Sequence, residues 1–181
     1  MVFWPYHGVI QRLTEKSVYR TSVPVRTLGR QFRRSMHLFV VDAGCDNMLN
    51  FNIAALTAPQ YNTHRFGIYF ADTPRHADIL ILLGPPLSAL HDAVAATLAQ
   101  APKPFGVLLV GGAPEMAPQQ EPVESTSGTP QPGSFRELID PALVVGFLPG
   151  SPGPSDIFAA LLAIQRGDDS RAISKSRGAL I

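Results

Sequence analysis

The stretch that most limits what this chain can fold into is ADILILLG, residues 77–84. A strand with one wet face alternates apolar and polar residues, and this run does not. It reads as a strand buried on both faces, which is the habit of parallel sheets covered by helices on either side. The neighbouring patterns agree. HLFVVD (37–42), RFGIYFA (65–71), FGVLLVGG (105–112) and ALVVGFLPG (142–150) read as four more strands. Between them lie apolar-periodic helical stretches at 46–57, 87–100 and 155–167. Ser155 is placed to cap the last of these and Gly167 to stop it. Strand and helix alternating at this spacing predict an α/β fold: a flavodoxin-like parallel sheet flanked by helices.

The chain has 181 residues, enough for one domain with a sizeable core. The expected division is an N-terminal arm over 1–36, the α/β domain over 37–167, and a polar tail over 168–181. Residues 114–134, rich in Pro, Gln, Ser and Glu, are expected to form a mobile loop within the domain. Charged residues make up only 16% of the chain, against roughly 25% in ordinary soluble domains, which suggests surface covered by partners. The charge is also uneven. Residues 1–36 hold seven Arg or Lys against Glu15 alone, net +6, and the remainder is net −5. A basic arm on an acidic body suits anionic lipid, nucleic acid or an acidic subunit, or is simply solvated. An Arg-rich start also fits an organelle transit peptide. The run Phe3-Trp4-Pro5-Tyr6 reads instead as an anchored start to a short amphipathic helix. Such a helix lies in a membrane interface or packs on another subunit. No apolar run is long enough to span a bilayer. One cysteine permits no internal disulfide, and with no secretory signal in view the expected setting is cytoplasmic.

In open parallel sheets ligands bind beyond the carboxyl ends of the strands. Four turns fall there: 43–49, Gly84-Pro85-Pro86, Gly111-Gly112-Ala113-Pro114 and Pro149-Gly150-Ser151-Pro152. None carries a dinucleotide or P-loop fingerprint. Ser151 lacks a nucleophile elbow. His37, His64, His76 and His91 match no metal-ligand spacing.

The run LFVVDAG…NFNIAAL…YNTHRFGIYFADTPRHADILILLGPP, with VLLVGGAP and FLPGSPGPSDIFAALL, does carry a likeness. Over about residues 36–165 the chain resembles the small iron–sulfur subunit of energy-converting membrane hydrogenases and formate hydrogenlyase-type complexes. That subunit is homologous to the B subunit of respiratory complex I (NADH:quinone oxidoreductase). The family holds a [4Fe–4S] cluster with four cysteines, two of them in a D-A-G-S-C-N-G-C turn. Laid without a gap on DAGCDNML, those two fall on Asp46 and Leu49. The third falls on Ala113 and the fourth on Ser151. Cys45, the chain's one cysteine, occupies the serine position before the first ligand.

The resemblance therefore implies a retained scaffold with vestigial ligand positions. No cofactor and no resident metal are expected, because these clusters are gripped by thiolates. Met48 and Leu49 are expected to fill the vacated place with packing. The implied role is a non-catalytic structural subunit, peripheral on the cytoplasmic face of the cell membrane. Its implied partners are a large-subunit-like protein, antiporter-like ion-translocating subunits and the membrane surface, with no nucleic acid. Trp4, Tyr6, Arg26, Arg30, Arg33, Arg34, Arg75 and His76 are the expected partner and membrane contacts. Without an electron relay, such a complex would use an ion gradient for another reaction, for example inorganic carbon uptake. Two other readings stand beside this one. One is an electron-transfer subunit of a quinone- or hydrogenase-type oxidoreductase, holding an atypical cofactor through Asp46, Asn47, Asn50 and Ser151. The other is a free-standing flavodoxin-like binding protein.

Overall fold

The structure, a computed structural model, describes residues 21, 23–112 and 138–166, with only the backbone of Arg30 and Gln31. Trp4, Tyr6, Ala113, Gly167, the amphipathic start, the 114–134 loop and the 168–181 tail lie outside the described residues.

Five strands form one parallel sheet: β1 Met36–Asp42, β2 Ile68–Phe70, β3 Ile79–Leu83, β4 Gly106–Val110 and β5 Val144–Leu148. Their spatial order is β2-β1-β3-β4-β5, so the chain steps outward from β1 in one direction and then in the other. The carboxyl ends of β1 and β3 thus flank a topological switch point, where α/β sheets open a crevice. Every residue of β3 and β4 is buried, as the uninterrupted apolar run requires. The architecture is the flavodoxin-like one read from the sequence.

Three α-helices complete the layers: α1 Asn47–Ala55, α2 His91–Gln100 and α3 Pro154–Arg166. Leu49 and Ile53 of α1 join Ile157, Phe158, Leu161 and Ile164 of α3 on one face, over Met36, Leu38, Ile79, Ile81 and Leu108. Val94 of α2, with Ile139, covers the opposite face at Leu80, Leu82, Val107 and Leu109.

Several boundaries differ from the sequence reading. The 65–71 strand shrinks to Ile68–Phe70, because Thr63–Phe66 coil into a 3₁₀ turn that closes on Gly67. The helix expected from residue 87 begins at His91, after a separate 3₁₀ turn over Ser88–Leu90. Pro141–Leu143 form a 3₁₀ turn capped by Asp140, so β5 starts at Val144. Ser155 does not cap α3. The helix begins one residue earlier at Pro154, whose missing N–H suits a first position. The Asp156 carboxylate instead accepts the Gly153 N–H at 3.2 Å.

The described part of the basic segment lies against the domain. Val25 bridges antiparallel to Gly146 at the outer edge of β5, and the Arg26 N–H donates to the Val145 carbonyl. Arg30–Arg33 form a 3₁₀ turn with Phe32 buried.

Candidate functional site

The four turns singled out in the sequence converge at the carboxyl end of the sheet, and backbone hydrogen bonds tie them together. Leu87 N–H donates to the Ala43 carbonyl at 2.9 Å. Gly84 N–H donates to Val110, Gly111 N–H to Leu148, and Gly150 N–H to Gly112, each at 2.8 Å. Asn52 of α1 donates its amide to the Pro152 carbonyl at 3.0 Å, linking the first turn to the last.

The β1–α1 turn is organised by one carboxylate. Asp42 accepts the N–H groups of Gly44 and Cys45 at 2.9 Å each, and the Asn50 amide at 2.9 Å. This is the local bonding that makes Asp a turn former. Burial alone would push the Asp42 carboxyl up. The Asn50 amide and the Cys45 and Gly44 N–H groups outweigh it and hold the carboxyl below its ordinary value. Asp42 and Asn50 are working residues the sequence reading did not single out for this role. The signal was an Asp followed by two small residues.

Asp46 is exposed and caps α1, with its Oδ1 accepting the Leu49 N–H at 3.3 Å. Leu49 is 3% exposed and packs inward. A Cβ placed on Gly111 would stand 2.8 Å from Leu49 Cδ1, and 3.3 Å from the backbone of Gly84. The leucine side chain therefore lies against Gly111 at the end of β4. Gly111 (φ +94°) admits this approach, and Gly84 (φ +76°) admits that of the first turn, since a Cβ there would meet the Cys45 backbone at 2.6 Å. Ser151 is exposed, one residue after the Gly150 that bonds Gly112. Met48 departs from the expectation. It does not fill the turn but points outward, 56% exposed, because the helical repeat puts Leu49 and Ile53 on the inner face.

Burial, followed by the hydrogen bond and negative charge of Asp42 and the charge of Asp46, pushes the Cys45 thiol up to about 11. At neutral pH it is a thiol. Of the polar residues named for an atypical cofactor, Asp46 and Asn50 are engaged within the turn, while Asn47 and Ser151 are exposed. Among the described residues no group of three His, Cys, Asp or Glu is placed to hold a metal ion.

The proposed contact residues are dispersed. Arg26 donates its guanidinium to the Ala142 carbonyl beside β5. Arg33 and Arg34 are exposed ahead of β1, and Arg75 and His76 are exposed on the 3₁₀ turn before β3. No helix among the described residues is long and apolar enough to cross a membrane.

Comparison with known proteins places relatives around this chain. No family model matches it. It is 36% identical over 81 residues to the probable membrane-bound hydrogenase subunit mbhJ of Pyrococcus furiosus, covering 45% of this chain and 48% of that protein. It is 34% identical over 79 residues to an uncharacterized protein of Methanocaldococcus jannaschii, covering 44% and 53%. It is 33% identical over 78 residues to formate hydrogenlyase subunit 7 of Escherichia coli, covering 43% and 31%. The matched region thus spans about half the length of these curated relatives or less. In fold, the chain is similar to a chain of the membrane-bound sulfane sulfur reductase, an archaeal respiratory membrane complex. The TM-score is 0.50 at 19% identity, over 83% of this chain and 87% of that one. The chain is therefore homologous, over less than half its length, to subunits of membrane-bound hydrogenase and formate hydrogenlyase, on a fold shared with a chain of a respiratory membrane complex.

Proposed function

We propose that this chain is a structural subunit of a membrane-associated, multi-subunit complex related to membrane hydrogenases and, through the same resemblance, to respiratory complex I. In this reading it occupies the place of the small iron–sulfur subunit but holds no cluster. The observation that carries the reading is the content of the converging turns. Where the family would offer two thiolates in the first turn, this chain offers an Asp46 already bonded to its own helix and a buried Leu49 with no donor atom. The only thiol in the protein is Cys45, one sulfur where four are needed. This donor set does not fit a cluster gripped by four sulfurs. The packing of Leu49 against Gly111, between the first and third turns, supports the reading further.

A subunit of this kind carries no electrons. It would hold together a large-subunit-like protein and antiporter-like membrane subunits at the cytoplasmic face of the membrane. The assembly would then use an ion gradient for another reaction, of which inorganic carbon uptake is one. The test is anaerobic treatment of the full-length chain with ferrous iron and sulfide, beside iron analysis of the complex purified from its own membranes. We expect no visible cluster absorption and no iron assignable to this chain. A stoichiometric, reducible iron–sulfur signal from it would refute the reading. Recovery of the chain as a lone soluble monomer from its own cells would refute the subunit role.

A further inference from the structure

The helix that leaves the Asp42 turn is unusual on both sides. α1, Asn47–Ala55, contains no charged residue. Its inner face is spent on Leu49 and Ile53. Its outer face is uncharged and, beside Asn47, apolar: Met48 is 56% exposed, Phe51 is 69% exposed, and Ala54 is exposed one turn further on. A surface helix ordinarily sets charges opposite its core stripe, and one without them is built to be covered on both sides. Leu87, 55% exposed, adds to this surface, packed against the turn at Gly44 that leads into the helix.

Among the described residues that supply this face, the charge has one sign. Residues 42–63, 83–90 and 146–156, which supply α1 and the end turns of β1, β3 and β5, contain no Lys, Arg or His. Asp42 and Asp46 stand at the root of the helix, both exposed. That decides among the possible occupants. An anionic membrane surface would be repelled by these carboxylates. A second copy docked through the same face would bring no basic residue to meet them, since the segments that supply it contain none. A different protein with basic residues around an apolar recess gains from both features, with Phe51 and Met48 as the central contacts.

We propose that the outer face of α1, with Leu87 beside it and Asp42 and Asp46 at its edge, docks a separate protein partner whose surface is an apolar recess rimmed by Lys or Arg. This rests on the subunit reading for its setting and adds to it the surface and the chemistry of the partner.

The test places a benzophenone photocrosslinking residue at position 51 of the full-length chain, expressed in its own host and irradiated in its membranes. We expect one crosslinked polypeptide other than this chain, attached at an apolar site with basic residues beside it. Phe51→Asp should cut the amount of that polypeptide recovered with the chain at least tenfold. Tyr69→Asp, at a partly exposed aromatic on β2 away from this face, should leave it unchanged. Raising NaCl should speed dissociation of the pair, the sign expected of opposite charges. Thermal melting of both variants, unchanged from wild type, separates lost docking from lost folding. If Phe51→Asp melts lower, the crosslink and its salt dependence decide alone. Crosslinking to lipid, to a second copy or to no protein would overturn the proposal, as would salt-strengthened binding. If the crosslinked polypeptide is soluble and no membrane subunit accompanies it, the docking surface stands and the subunit reading fails. If the chain stays in a membrane complex but position 51 reaches none of its polypeptides, the docking surface alone fails.

Discussion

Truncating Leu49 tests whether packing has taken over the converging turns. The side chain is almost wholly buried and packs against the end of β4 at Gly111. Leu49→Ala removes it from the core that α1 forms with α3 and the sheet. The expected cost is about 2–5 kcal/mol, the range for buried leucines. Gly111→Ala tests the same contact from the other side. Its φ of +94° alone should cost about 1–2 kcal/mol. The new methyl, 2.8 Å from Leu49 Cδ1, should add an overpacking cost of about 1–3 kcal/mol. In the double variant Leu49 Cδ1 is gone, so the overpacking disappears while the backbone strain stays. The two changes should therefore be less than additive, by about 1–3 kcal/mol. Urea unfolding of the four full-length chains, followed by far-UV circular dichroism, reads this directly from midpoints at constant slope. If Leu49→Ala costs under about 1 kcal/mol, or the pair is additive within about 0.5 kcal/mol, the leucine does not fill the turn. An open pocket would then have to be considered there.

Two further predictions concern charge in the same turn. With the Cys45 thiol raised from 9.0 to about 11, it is protonated in both folded and unfolded chains below pH 9. Between about pH 9 and 11 the unfolded chain ionises first, so stability falls as pH rises through that window. Cys45→Ser should flatten that fall in urea midpoints, and wild-type alkylation by iodoacetamide at pH 8 should run roughly 100-fold slower than that of an unperturbed thiol. Asp42 shifts the other way, so its contribution is present above its ordinary value of 3.8 and is lost as pH falls through the folded value. Asp42→Asn should cost about 1 kcal/mol at pH 7, given the residue's exposure, and should lessen the acid-side loss of stability.

Much of the fold was legible in short patterns. The ILILL run announced a strand buried on both faces, and β3 is buried at all five residues. The small-residue turns announced where the sheet would open, and hydrogen bonds among Gly84, Gly111, Gly112 and Gly150 bring them together. Element ends were less legible because local geometry sets them. Arg65 and Phe66 read as the start of the second strand, yet the left-handed Asn62 and Gly67 bracket them in a turn. Pro154 moved the start of α3 past the serine that looked like its cap. Met48 and Leu49 looked alike as replacements, but adjacent residues on a helix point about 100° apart, and only one of them can face inward.

The sequence by itself determined the parallel α/β layering and the inventory of donor atoms. Apolar periodicity dictates which segments must be buried on two faces, and one cysteine remains one cysteine in any conformation. What only the tertiary structure decided is how those atoms are used. It directs Asp42 to hold the turn, Asp46 to cap a helix, and Leu49 to lie against Gly111, brought from a distant part of the chain. It also leaves Phe51 in the open. Whether an apolar side chain is core or contact surface depends on what stands opposite it, and that is a property of the packed sheet rather than of the residue.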